Sequence, residues 1–169
     1  IETSMIGQNI LGQIQIAKVR DASRLDLVLR QKKTEWVDLA NREVAFGLVR
    51  RGGGVKSLEL RLLTRPDGGQ MAVIHVAMDA VDAMGANIMN QVCEFLKTPL
   101  EEASGEKVTM CILTNLVDSK LTRARVTLEN IEPDLAEKIE EASIFAEVDP
   151  YRAATNNKGV LNGIDPILI

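Results

Sequence analysis

Apolar and polar side chains alternate along two stretches of the chain, each of which predicts a half-buried β-strand, and a third, mostly apolar stretch predicts another strand. The first covers residues 10–19, the second residues 58–62 and the third residues 70–78. Residues 66–69 read Pro-Asp-Gly-Gly, a composition typical of a turn, so the second and third strands form a predicted hairpin. The runs at 107–114 and 121–128 predict two further strands. The apolar residues 165–169 predict the start of a strand that is cut mid-course, and we interpret the chain as an excerpt from a longer protein.

Helical periodicity lies between these strands. Apolar residues recur at intervals of three or four from residue 24 to about 42, and Asp21 or Ser23 can cap that helix. A second helix is predicted after Asp82 and should stop at Pro99, because proline has no N–H for the helical ladder. Pro133 is predicted to open a third helix.

The order of elements is therefore strand, helix, two strands, helix, two strands, helix. This order predicts an α+β fold: a small ferredoxin-like antiparallel sheet with helices on one face. We expect a domain boundary between residues 115 and 130, because the two segments with the most chemical character lie on either side of it.

Composition narrows the function classes. A formal charge of −4 and a pI near 5.1 indicate no general nucleic-acid binder. No apolar run is long enough to cross a bilayer, so no membrane partner is expected. Cys93 and Cys111 lack metal-ligand spacing and suggest free thiols in a reducing cytoplasm, and a single histidine, His75, leaves no metal site to predict. His75 lies inside a predicted strand, so a structural role is favoured over a catalytic one.

The segment from Val81 to Asn87, Val-Asp-Ala-Met-Gly-Ala-Asn, joins a predicted strand to a predicted helix. Gly85 would let a ligand approach the backbone, and free N–H groups at a helix start attract phosphate. The alternative is an ordinary helix cap provided by Asp82. A basic stretch, Arg42 with Arg50 and Arg51 before three glycines, is either a phosphate grip or a solvated loop.

Residues 149–165 form a second candidate segment. Thr155, Lys158 and Asn162 would share one face of a helix. A lysine among amides is suited to polarise a carbonyl or stabilise an oxyanion, and Arg152 is suited to hold a carboxylate with two hydrogen bonds. A polar surface helix interrupted at Gly159 is the competing interpretation.

Together these segments resemble class II, bacterial- or archaeal-type, 3-hydroxy-3-methylglutaryl-CoA reductases. Residues 82–87, Asp-Ala-Met-Gly-Ala-Asn, resemble the family's cofactor signature, and residues 149–165 resemble its lysine-bearing segment. Residues 39–42 and the three-glycine turn, both before the cofactor signature, and residues 114–118, between the two segments, also match the family in order.

The resemblance implies a cytoplasmic oxidoreductase that reversibly reduces 3-hydroxy-3-methylglutaryl-CoA to mevalonate and free CoA with NAD(P)H and no metal. Lys158 matches the catalytic lysine that stabilises the carbonyl oxygen. The substrate-binding positions matched are Arg152, Asn162 and Asn115. The cofactor-binding positions matched are Asp82, Met84, Gly85 and Asn87.

The resemblance also implies domains and partners. Residues 10–118 would form the small NAD(P)-binding domain, residues 119–169 part of a larger mixed α/β domain for substrate and CoA, and residues 1–9 the end of another segment of that domain. Active sites of this family form between subunits, so a homodimer or larger homo-oligomer is expected. The family's catalytic Glu, Asp and His fall outside this chain, which should be inactive alone.

Two positions depart from the family pattern. Asn156 replaces a histidine found in some members, and Val44 stands where an NAD-selective member would present a carboxylate. With the nearby arginines, Val44 predicts that NADP is tolerated. The competing hypothesis for the whole chain is a non-catalytic ferredoxin-like module that binds a small molecule or serves assembly.

Overall fold

The computed structural model describes residues 1–169, which fall into two compact units. The first comprises Glu2–Ala124, and the second comprises Arg125–Ile169 together with Ile1. The first unit contains, in chain order, β1 (Glu2–Ile6), β2 (Asn9–Ile16), α1 (Ala22–Glu43), α2 (Phe46–Val49), β3 (Gly54–Thr64), β4 (Gln70–Asp79), α3 (Ala86–Ser104), β5 (Met110–Leu113) and β6 (Leu121–Arg125), whose last residue opens the second unit. The second then contains α4 (Pro133–Val148) and α5 (Pro150–Leu168).

Four strands of the first unit form an antiparallel sheet in the order β3-β4-β2-β5. The two helices α1 and α3 pack on the sheet and against each other. This is the predicted ferredoxin-like arrangement, and the predicted hairpin is its β3–β4 pair. Strands β1 and β6 form a separate two-stranded sheet that the sequence pattern did not predict.

The hydrophobic core lies between the sheet and the two helices. Alternate residues of β2 and β4, such as Ile14, Ile16 and Ile74, are buried at 1% exposure or less, as are Leu25 of α1 and Met89 of α3. Every residue that the fold buries, polar or apolar, lies between Ile10 and Val108. The core therefore belongs entirely to the first unit.

Helix α1 begins where its sequence predicted. The Asp21 carboxylate accepts a hydrogen bond of 2.9 Å from the backbone N–H of Arg24, which satisfies one of the free donors at the helix start. Buried Glu106 holds the preceding backbone by accepting from the N–H groups of Arg20, at 3.0 Å, and Asp21, at 2.9 Å. One carboxylate from the segment between α3 and β5 thus holds the backbone that leads from β2 into α1.

Two expectations about helix ends were wrong. Helix α3 does not stop at Pro99 but continues to Ser104 and ends at Gly105, which adopts a left-handed conformation with φ of 75°. Leu96 and Leu100 are both about 2% exposed, so their burial on one face outweighs the backbone hydrogen bond that proline removes. Residues 165–169 do not form a strand either, since they lie in the last turn of α5 and the N–H of Ile169 bonds to Asp165 O at 2.9 Å. A short apolar run has no periodicity that separates the two structures.

Two segments that are far apart in sequence meet at the edge of the first unit. The Asn9 N–H donates to Ser119 O at 3.2 Å, and the Ser119 hydroxyl donates to Asn9 O at 2.9 Å. A side chain at Gly7, whose φ is 71°, would place its Cβ 2.3 Å from Ser119 O. The segment before β2 and the segment after β5 are therefore in direct contact.

The second unit is a helical hairpin. Pro133 opens α4 as predicted, and Asp149 caps α5 by accepting from the Arg152 N–H at 2.8 Å. The two helices pack against each other, yet neither contains a buried residue. None of the helices in either unit has the length and apolar character that crossing a membrane requires.

Candidate functional site

The turn between β4 and α3 has an unusual backbone. Val81 adopts a φ of 56°, a left-handed conformation that is strongly disfavoured for a β-branched residue. Its N–H donates to the Asp79 carboxylate at 2.8 Å, and the Ala83 N–H donates to Ala80 O at 3.1 Å. Such strain persists only where the surroundings impose it, and it is concentrated at ligand sites.

The start of α3 is open. Gly85 precedes the first helical residue, Ala86, and no side chain caps the helix. The alternative in which Asp82 is an ordinary helix cap is therefore wrong. Asp82 and Asn87 are exposed, and Met84 is 75% exposed. The first N–H groups of a 19-residue helix, and the positive end of its dipole, remain available to an anion.

Gly85 is required at its position for two reasons. Its φ is 84°, and a Cβ there would lie 2.6 Å from the Ala80 Cβ and 2.7 Å from the Ile10 Cδ1. These contacts are shorter than real Cβ atoms show, so the turn packs directly on the start of β2 and α3 begins close to the sheet.

The three-glycine turn before β3 lies against this same turn. A Cβ at Gly53 would be 2.5 Å from Asp79 O and 2.6 Å from a Val81 methyl group. Asn41 of α1 fixes the glycine turn from the other side: its amide accepts from the Val55 N–H at 2.7 Å and donates to Val55 O at 2.9 Å. The sequence segments 39–42, 52–54 and 79–85 therefore form one assembly.

A groove of about 330 Å³ runs along the contact between the two turns. Its lining includes Asp82, which the sequence predicted to bind the ligand, and the basic residue Arg51. The Arg51 Nε–H donates to Gly47 O at 3.1 Å. Lys120 also lines the groove, although nothing in its sequence neighbourhood marks it as a ligand contact. The lining residues are Met5, Gln8, Arg51, Gly52, Asp79, Val81, Asp82 and Lys120.

The other members of the basic stretch lie elsewhere. Arg42 pairs with Glu43 at 2.7 Å, and Arg50 is exposed outside the groove lining. Val44 packs half-buried against the hydrophobic core, so a carboxylate at this position would meet the core and not a ribose. The structure gives no support to Val44 as the position that selects the cofactor, and Arg51 carries that argument instead.

These features fit a dinucleotide. The open helix start suits phosphate, and the cations Arg51 and Lys120 supply positive charge in the adjacent groove. Asp82 offers a carboxylate to sugar hydroxyls. The four residues predicted to bind cofactor, Asp82, Met84, Gly85 and Asn87, all lie within this turn and the first turn of α3.

In the second unit, α5 runs from Pro150 to Leu168, so the interruption at Gly159 that the competing interpretation assumed does not occur. Lys158 and Asn162 are exposed on one helical face, and the ammonium bonds the Asn162 side-chain oxygen. Arg152 lies half-buried in the first turn of the helix. Neither Gly159 nor Gly163 would bring a Cβ within 4 Å of any atom, so nothing in the second unit itself requires glycine there.

Asn115 belongs to the first unit. It is exposed immediately after β5, between Thr114, whose N–H donates to Leu11 O at 3.0 Å, and Leu116, whose N–H donates to the Thr114 hydroxyl at 3.2 Å. Asn115 does not line the groove beside Asp82. It is the one predicted substrate contact that lies outside the helical hairpin.

His75 has the structural role that its strand position predicted. Its Nε2 lies 3.0 Å from the Gln13 amide and 3.3 Å from the Arg61 guanidinium, which only donates, so this ring nitrogen accepts. Burial, and next the positive charge of Arg61, lower the pKa of His75 and favour the neutral ring. Burial likewise raises the pKa of Cys93 to about 12 and of Cys111 to about 11, so both thiols stay protonated.

The family model described as hydroxymethylglutaryl-coenzyme A reductase matches residues 1–169. A 3-hydroxy-3-methylglutaryl-coenzyme A reductase of Archaeoglobus fulgidus is 35% identical over 170 residues, which cover 99% of this chain and 38% of that protein. A probable reductase of the same name from Borreliella burgdorferi is 30% identical, over 94% of this chain and 37% of its own length. The chain thus spans less than two fifths of either relative.

Solved structures agree with this match. The class II reductase of Streptococcus pneumoniae bound to NADPH in open conformations has a TM-score of 0.87 and 34% identity, covering 96% of this chain and 41% of that one. A further structure of the Streptococcus pneumoniae reductase has a TM-score of 0.86 at the same identity, covering 96% of this chain and 45% of that one.

Proposed function

This chain belongs to the hydroxymethylglutaryl-coenzyme A reductase family, and on that premise we propose that it serves the reversible four-electron reduction of 3-hydroxy-3-methylglutaryl-CoA to mevalonate and CoA with NAD(P)H. The observation that carries the proposal is the strained turn at Val81, which leads into an uncapped helix beside Arg51 and Lys120. Each bound reduced nicotinamide supplies one hydride, and two are consumed per substrate.

The groove of the first unit has the binding role. The N–H groups at the start of α3 hold the dinucleotide phosphates, and Gly85 keeps that approach open. Asp82 accepts from sugar hydroxyls, while Met84 and Asn87 contact the dinucleotide from exposed positions. Arg51 and Lys120 provide charge for an additional phosphate, which favours acceptance of NADPH. The NADPH-bound Streptococcus pneumoniae reductase supports that preference.

The helical hairpin supplies the polar groups for chemistry. Lys158 places an ammonium where negative charge develops on the substrate oxygen, and the oxygen of Asn162 holds that ammonium in place. Arg152 binds the substrate carboxylate, and Asn162 and Asn115 contact the substrate through their amides. Residues 10–118 serve as the cofactor domain, residues 119–169 as part of the larger substrate and CoA domain and residues 1–9 as the end of another segment of that domain. The active protein is a cytoplasmic homodimer or larger homo-oligomer, and this chain is inactive by itself.

Replacing Lys158 tests the chemical role. In the full-length protein, Lys158→Ala should lower kcat by about 100-fold or more, because one positioned charge at a developing oxyanion contributes that much. Lys158→Arg should recover only part of the rate, since the guanidinium differs in shape and reach. The measurement is steady-state turnover, with circular dichroism to verify folding.

The matched control is Lys138→Ala on α4. Lys138 is also an exposed helical lysine, and its partner four residues away is Asp134. Near-normal turnover of Lys158→Ala, or an equal loss in Lys138→Ala, contradicts the assignment.

Replacing Arg51 tests the groove. Arg51→Ala should raise the KM for NADPH by about 10-fold, as expected when one charge-assisted phosphate contact worth about 1.4 kcal/mol is lost. The KM for NADH should change less, because NADH lacks the additional phosphate. Arg50→Ala is the control, since this neighbouring arginine lies outside the groove lining. If both variants keep the original KM for NADPH, the groove is not the phosphate site.

A further inference from the structure

The outer edge of β3 is unpaired. Strand β3 is the terminal strand of the four-stranded sheet and pairs with β4 alone. A register shift between Val55 and Ser57 interrupts its start, and from Ser57 to Thr64 the ladder to β4 is regular. Backbone N–H and C=O groups along this edge are free to pair with another strand.

The side chains of this edge are complementary to themselves. Glu59 and Arg61 are exposed on the sheet face away from the helices, while Leu60 lies between them on the helix face. If two copies pair antiparallel about Leu60, Glu59 of each copy lies opposite Arg61 of the other. Pairing centred on Glu59 or Arg61 would instead oppose like charges, which is unfavourable for directly opposite residues. Among these three registers, only pairing about Leu60 places opposite charges opposite one another.

Pairing about Leu60 is also consistent with the apolar side chains on the helix face of β3. A groove of about 240 Å³ lies between α1 and β3 beside the edge, with Val37 and Leu58 in its lining. Leu62 is 44% exposed on the same face of β3. Antiparallel pairing about Leu60 brings Leu62 of one copy opposite Leu58 of the other, at the mouth of this groove. Each copy thus offers both the projecting leucine and the recess for it, as a two-fold interface requires.

We propose that the edge of β3 is an interface between two copies of this chain, which joins their sheets into one eight-stranded antiparallel sheet. Neither the pairing of Glu59 with Arg61 nor the fit of Leu62 beside Leu58 depends on the reductase activity or on the groove beside Asp82. The proposal therefore stands or falls separately from the function proposed above.

A charge-swap series in the full-length protein tests the interface. Glu59→Arg and Arg61→Glu each place like charges opposite one another twice, whereas the double variant Glu59→Arg/Arg61→Glu restores opposite charges. Each single change should weaken the association by about 10-fold or more, since two cross-strand pairs are altered. Sedimentation equilibrium at protein concentrations near the Kd of the unaltered protein should then show a lower average mass for the single variants than for the unaltered protein and the double variant. Equal mass for all four proteins, as when another segment of the chain or a different protein covers the edge, overturns the proposal.

Thiol cross-linking provides a measurement that does not depend on the charges. Leu60→Cys places two cysteines opposite each other on the two-fold axis, where Cα atoms about 4.5–5.5 Å apart permit a disulfide. Mild oxidation should yield a covalent dimer. Leu63→Cys is the matched control, because in this register residue 63 lies opposite residue 57, and the unaltered protein controls for Cys93 and Cys111. No covalent dimer from Leu60→Cys, or equal yields from both variants, overturns the proposal.

Discussion

Gly85 and Val81 show how single positions build the site. Gly85 occupies a left-handed conformation without cost, whereas Val81 occupies one at a cost, and both lie in the turn that leads into α3. The sequence singled out Gly85 as a place where a ligand can approach the backbone, and the structure shows that its missing side chain leaves room for Ala80 and Ile10. The sequence could not predict the strain at Val81, which results from the contact with Gly53 and the bond to Asp79.

Gly85→Ala should destabilise the chain more than the same change at Gly68. Both glycines have positive φ, 84° and 79°, so alanine costs about 1–2 kcal/mol at either site. Only at Gly85 does the added methyl group meet Ala80 and Ile10, which adds about 1–3 kcal/mol of overpacking. The free energy of unfolding from urea titration measures the difference. Equal losses in the two variants would show that the turn relaxes around the added methyl group.

The candidate site residues differ in how far apart they lie along the sequence. Asp82, Met84, Gly85 and Asn87 were predicted from one local segment, and the structure keeps them in one turn and the helix start that follows. Lys120 reaches the groove from a distant part of the chain, so no local pattern identifies it. Val44 packs partly buried against the core, a location that its position along the sequence does not reveal.

At the scale of elements, α3 is the clearest case of packing that overrides local propensity. The helix crosses Pro99 because Leu96 and Leu100 continue its buried face. Residues 165–169 show where a local pattern is insufficient, since their apolar run fits a strand or a helix equally well. Alternation in β2 and β3 was sufficient to predict those strands, because each has one face against the helices, whereas β4 is buried on both faces and does not alternate.

Pro99→Ala should stabilise the chain by about 1–2 kcal/mol, part of the cost of a proline inside a helix. Alanine restores the N–H that can donate to the carbonyl of Phe95, four residues earlier. Thr98→Ala is the control, an exposed neighbour at which only a few tenths of 1 kcal/mol are expected. Thermal unfolding measures both changes. A loss of stability in Pro99→Ala would mean that the proline ring contributes more by packing than the missing hydrogen bond costs.

Over the whole molecule, the order of strands and helices was sufficient to predict the ferredoxin-like sheet, because few topologies accept that order. The β1–β6 sheet escaped prediction, since its strands are 115 or more positions apart in sequence (6 to 121) and both are exposed. The uneven distribution of the core could not be read from composition either. Residues 125–169 are as rich in apolar side chains as a domain, yet none of them is buried.

The two units should therefore differ in their ability to fold alone. Residues 2–124, which contain every buried residue, should unfold in one cooperative transition when expressed alone. Residues 125–169 should show no cooperative transition, because two helices without a buried core do not offset their conformational entropy. Circular dichroism melting of the two fragments measures this. A sharp transition in the shorter fragment would contradict the expectation.

The contact of Gly7 and Asn9 with Ser119 brings together two points of the first unit that are far apart in sequence. When the two ends of a segment are in contact, the segment can be lengthened, shortened or exchanged between homologous proteins, because the rest of the protein has to span only the short distance between those ends. Under the proposed function, exchange of residues 5–120, which contain the whole lining of the groove, should carry cofactor preference from one homologous protein to another.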